Sequence, residues 1–84
     1  MTVVMQDGRR FVGTPLQIVQ AMQAIAFVPD LDVVDYMATL VLDARRFAGV
    51  ELTLPPAEDG ADAMAAALVR QMLATGLAYR LPLH

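Results

Sequence analysis

The chain predicts a small α+β domain with the element order ββααβαβ, on the strength of three observations. Asp7-Gly8 sits between two β-prone runs near the N-terminus. Three helix-length segments follow, closed by Pro29, Gly49 and Gly76. Two short strand-like runs, 50–54 and 77–81, flank the last of these helices. The expected architecture is an N-terminal β-hairpin, two helices, then strand-helix-strand, with a small sheet packed by three helices in one domain spanning 1–84.

The hairpin comes first because Asp-Gly between alternating apolar residues is the strongest short-range signal for a two-residue type I′ turn. Strands are expected at 2–6 and 9–12. Such a turn pairs Gln6 with Arg9, Met5 with Arg10, Val4 with Phe11 and Val3 with Val12. One face then holds Val4 and Phe11, and the other Val3, Met5 and Val12. Both faces are apolar away from the turn, which predicts that both are covered.

Thr14-Pro15-Leu16-Gln17 reads as a helix start, with Thr at the N-cap, Pro at N1 and Gln at N3 closing a capping box. The first helix is expected to run to about Phe27, with Pro29 ending it. Gln17, Gln20 and Gln23 cover an arc of about 120°, leaving the rest to Leu16, Ile18, Val19, Met22, Ile25, Phe27 and alanines. It carries no charge. A helix so apolar belongs inside a fold or inside an interface.

The second helix is expected from a cap at Asp30 or Asp32 to about Phe47. Asp32 and Asp35 lie near its positive end, Arg45 and Arg46 near its negative end, and Gly49 at C′. Val33, Val34, Met37, Leu40, Val41 and Ala44 form its apolar stripe. Val50–Leu54 alternates as a half-buried strand does, and Pro55-Pro56 stops it. After the loop 55–60, Asp59 is the expected cap of a third helix running to about Thr75, with Gly76 as a left-handed C′ residue and Leu77 packing on Met72. Residues 50–81 then make a parallel, right-handed strand-helix-strand crossover.

Composition narrows the function. The chain has 84 residues, 57% hydrophobic and 18% charged, against roughly 45–50% and about 25% in ordinary soluble domains. A domain this small buries only about 60–65% of its unfolded surface. Apolar surface is therefore left over, and a contiguous patch of it marks a contact site. Residues 11–29 are uncharged, but Gly13, Pro15, three glutamines and Pro29 leave only about 13 helical residues, roughly 20 Å, too short for a bilayer. No signal-peptide pattern opens the chain, so a cytoplasmic location and no membrane partner are expected.

Ser, Cys, Lys, Asn and Trp are absent, and all six basic residues are Arg. That excludes Ser or Cys acyl-transfer nucleophiles, a lysine Schiff base, a Walker-type phosphate lysine, disulfides and thiolate metal sites. The groups Asp30, Asp32, Asp35 and Glu58, Asp59, Asp62 read as helix-end charges, since no EF-hand spacing follows either. Tyr36, Tyr79 and the last residue, His84, form no acid-base constellation with the carboxylates. No catalytic residue, cofactor or metal is expected. Arg9-Arg10 and Arg45-Arg46 are the only basic pairs. A net charge of −3 makes nucleic acid an unlikely partner.

The reading that remains is a non-catalytic protein-interaction or homo-oligomerisation module, in its simplest form a homodimer. Its expected interface is Val3, Met5, Val12, Leu16, Ile18, Met22, Ile25 and Phe27. Two alternatives compete with it. One is an accessory regulator that binds nucleic acid as an oligomer. The other is a domain binding a small apolar ligand between helices and sheet. Of the six methionines, Met22, Met37, Met64 and Met72 have core phase, and Met5 is the interface candidate.

Overall fold

The computed structural model describes residues 1–26 and 30–81. The hairpin forms from β1 (Thr2–Met5) and β2 (Arg10–Val12), but one residue out of the expected register. Val3 pairs with Phe11 and Val4 with Arg10. The Gly8 N–H donates to the Met5 carbonyl at 2.9 Å and the Met5 N–H to the Arg9 carbonyl at 2.9 Å, so the loop is the three residues Gln6-Asp7-Gly8. Gly8 sits at φ 90°. A three-residue loop needs a left-handed residue only at this glycine, whereas a type I′ turn demands positive φ at Asp7 as well. The Asp7 carboxylate adds a hydrogen bond from the Arg9 N–H at 3.1 Å and an ion pair to Arg9 Nε at 3.3 Å.

The register decides which side chains face the helices. Val3 and Phe11 point inward and are buried, while Val12 points outward and is 73% exposed. The expectation that both hairpin faces are covered is corrected accordingly: helices cover one face only. On the open face Val4 is buried between its strand neighbours Arg10 and Tyr79.

Helix α1 (Pro15–Ile25) starts as expected, with both halves of the capping box present. The Gln17 N–H donates to Thr14 Oγ1 at 3.2 Å, and the Thr14 N–H to Gln17 Oε1 at 2.9 Å. Its anticipated ending at Phe27 and Pro29 lies outside the described residues. Helix α2 (Val33–Asp43) has Asp32 at its N-cap without a side-chain hydrogen bond. It widens into a π turn over Ala44–Ala48, closed by left-handed Gly49 at φ 66°, whose N–H donates to the Ala44 carbonyl.

Residues 50–54 alternate in burial as a strand would, with Leu52 innermost, yet they join no ladder. The side-chain amide of Gln71 takes a neighbouring strand's place, accepting from the Thr53 N–H at 2.9 Å and donating to the Thr53 carbonyl at 2.7 Å. Asp59 is not a cap either. It lies in a 3-10 turn (Ala57–Asp59), and Gly60 at φ 92° occupies the N-cap of α3 (Ala61–Thr75).

At its far end α3 stops at Gly76, φ 81°. The chain reverses at once into β3 (Ala78–Leu81), which lies antiparallel to β1 with Val4 opposite Tyr79 and Met5 opposite Ala78. The sheet order is β2-β1-β3 and the described order is ββαααβ. The α+β class, the hairpin and the three packing helices stand. The parallel crossover does not form, because its first strand is held by a glutamine side chain and its last runs antiparallel to β1. Between the inner sheet face and the three helices lies one core, centred on Val3, Ile18, Val19, Met37 and Leu68.

Candidate functional site

The core is open at one end. Three methionines from three different elements meet there: Met5 at the end of β1, Met22 on α1 and Met72 on α3. Leu52 and Leu77 extend this floor, while Leu40, Ala44 and Phe47 bring in the last turns of α2. Together they line an apolar groove of 320 Å³. The polar side chains along its rim are Gln6 and Asp7 of the hairpin loop and Asp43 of α2. The rim is tied down where the Gln6 amide donates to the Gly76 carbonyl at 2.9 Å, joining the hairpin loop to the end of α3. A smaller depression of 150 Å³ shares Met5, Asp7 and Met22 and continues towards Phe11, Ile25 and Tyr36.

Phe47 is the unusual member of this set. Counting 3.6 residues per turn from Leu40, an uninterrupted α-helix would return residue 47 to the buried stripe. The π turn over 44–48 changes that phase, and Phe47 ends 78% exposed on the groove's edge. The Arg46 guanidinium lies 6.0 Å from its ring centroid, within cation–π range. Leu42, one turn back, is also exposed, and Asp43 lies between the groove and a surface depression lined by Leu42, Arg45 and Arg46. Short π segments inside helices recur at functional sites. Here the segment turns an aromatic ring outward beside an apolar hollow.

Tyr36 lies just behind, on the inner face of α2 and 5% exposed. Burial, and secondarily the Asp43 carboxylate, push its hydroxyl above the ordinary tyrosine range. A phenol held neutral this way is a packing residue with a polar tip rather than a base.

The eight residues expected at an interface are scattered by the fold. Val3 and Ile18 are sealed in the chain's own core and are unavailable to any partner, which corrects the expectation for these two residues. Met22 is mostly buried but lends its edge to the groove, where it meets Met5. Leu16 is half-buried against the core, and Ile25, 41% exposed, borders the smaller depression. Val12 lies on the open sheet face, and Phe27 is outside the described residues. Phe47, Asp43, Leu40, Leu52, Met72 and Leu77 were not anticipated. A helical wheel places Phe47 inside, and no sequence pattern announces the π turn that brings it out.

The basic pairs do not merge into one stripe. Arg9 is paired with Asp7 in the hairpin loop, and Arg45 with Glu51 at the end of α2, each at 3.3 Å. Among the described residues no group of three His, Cys, Asp or Glu is placed to hold a metal ion, and no helix is long and apolar enough to cross a membrane. Comparison with protein-family models, with curated proteins and with solved structures finds no match to this chain.

Proposed function

We propose that the chain is a non-catalytic protein-interaction module and that its contact surface is the methionine-floored groove with the Phe47 edge, rather than the face of α1. One observation carries this reading: a phenylalanine stands exposed directly beside an apolar hollow that the described residues do not fill. Covering an aromatic side chain buries about 150–250 Å², which at about 25 cal/mol per Å² gives roughly 3–5 kcal/mol for the exposed part of Phe47. Lone exposed apolar residues are ordinary, but Phe47 borders an apolar groove and with its lining forms a continuous patch. Flexible methionine side chains suit such a surface because they repack around whatever enters. A small apolar ligand is the weaker reading, since the volume sits at the lower end of the roughly 300–1,000 Å³ usual for such sites.

Methyl-labelled methionine spectra test the proposal. On raising the protein concentration, or on adding the neutral dye Nile red to dilute protein, the Met5, Met22 and Met72 methyls are expected to shift. Those of Met37 and Met64, deep in the core, are expected to stay. If neither treatment moves the three groove methyls, the groove is not a contact surface.

A further inference from the structure

We infer that the groove's occupant is a second copy of this chain, docked about a two-fold axis so that each Phe47 enters the other copy's groove. The inference rests on the reading of the groove as a contact surface and adds the partner to it. A two-fold contact uses the same patch on both copies, so the patch must carry both a projection and a matching recess. This one does. Phe47 projects from the π turn, and the groove it borders is apolar, unfilled and roomy enough for a ring. A partner of unrelated sequence would require only the recess.

Charge is complementary in the same sense. Arg46, stacked near Phe47, makes no ion pair among the described residues, unlike Arg9 and Arg45. The rim of the groove is acidic, with Asp7 already held by Arg9 and Asp43 without an ion-pair partner among the described residues. When Phe47 of one copy enters the recess of the other, Arg46 travels with it to that rim, and Asp43 is the carboxylate left to receive it. Each docking event makes the ring contact and the charge contact twice.

Sedimentation velocity on the full chain and two charge-reversed chains tests this. The wild type is expected to dimerise, and Phe47→Ala to weaken the dimer by about 100-fold or more, because a central aromatic anchor is lost on both sides. The variant's circular dichroism should be unchanged, since the ring supports nothing in the monomer. Arg46→Glu and Asp43→Arg should each weaken self-association about tenfold or more by placing like charges together twice. Mixing the two should restore a dimer, because every charge contact in the mixed pair is then between opposite signs. A dimer indifferent to Phe47→Ala, or a mixture no tighter than its components, overturns the inference while leaving the groove a contact surface. A wild type that stays monomeric at about 100 μM also overturns it. If its groove methyls still respond to Nile red, the partner is another molecule; if they do not, the broader reading falls as well.

Discussion

The start of α1 and the end of α2 are two helix termini of one small core, finished in opposite ways. At Thr14 the chain closes its own cap within four residues: the hydroxyl takes the Gln17 N–H, the Gln17 amide oxygen takes the Thr14 N–H, and Pro15 has no N–H to place. At Ala44–Ala48 the backbone also closes on itself, the Ala44 carbonyl accepting from the Gly49 and Val50 N–H groups, but two side chains are left outside. A phenylalanine and an arginine are delivered to the surface beside a hollow. The difference separates what the chain completes by itself from what it leaves to another surface. A self-capped helix start stabilises the fold alone, whereas a widened helix end that exposes a ring gains free energy only when something covers it.

The largest expected effect breaks the comparison if it fails. Leu68, fully enclosed on α3, should lose about 2–5 kcal/mol of stability on Leu68→Ala, as lost transfer energy and a residual cavity add together. Phe47→Ala removes a larger side chain but, at a dilution where the chain is monomeric, should change stability by no more than about 0.5 kcal/mol. Urea unfolding followed by circular dichroism decides it. A Phe47→Ala loss comparable to that of Leu68→Ala would mean that the ring belongs to the monomer's core.

A smaller effect sharpens the other side. Thr14→Ala removes the hydroxyl half of the capping box and should cost about 1 kcal/mol. Gly13 guards the same box from outside: at φ 138° a Cβ there would meet Gln17 Oε1 at 2.5 Å, displacing the amide that closes the box and straining the backbone. Gly13→Ala is thus expected to destabilise by a similar or larger amount, about 1–2 kcal/mol. Because both substitutions break one motif, the double variant should lose less than the sum of the two. Strict additivity in a double-mutant cycle would show that Gly13 acts through its own φ and not through Gln17.

What the sequence made legible divides along the same line. The capping box, the left-handed Gly49 and Gly76, the antiparallel hairpin and the core phase of Met37 and Met64 are local or strongly periodic, and all are present. The hairpin register went astray by one residue because Asp7-Gly8 serves a three-residue loop as well as a two-residue turn. That choice alone moved Phe11 to the face of Val3 and Met5, and Val12 to the face of Val4. The run 50–54 has the alternation of a strand, but pairing needs a partner, and periodicity cannot show that Gln71, eighteen residues on, supplies one with a side chain. The apolar excess was visible, but its place was not. Periodicity points to α1 and a hairpin face, where Val3, Ile18 and Val19 prove to be core, because the π turn that exposes Phe47 leaves no mark in a 3.6-residue pattern.

The smallest effect concerns Tyr36, which ties the interior of α2 to its open end. Burial first, and Asp43 second, raise its hydroxyl above the ordinary value of about 10 in the folded chain. The folded state therefore holds this proton more tightly than the unfolded state does. Its contribution to stability is complete below pH about 10 and is lost as pH rises through the folded value, since the unfolded chain then gains more by ionising. Stability should fall above pH about 10, and Tyr36→Phe should flatten that fall without changing the profile near neutrality. Asp43→Asn should flatten it less, because the carboxylate is the lesser of the two causes. A Tyr36→Phe chain with the full alkaline loss would place the titrating group elsewhere. It would also remove the reason for regarding Asp43 as a charge felt at both the core and the groove rim, the position from which it is proposed to meet the Arg46 of a second copy.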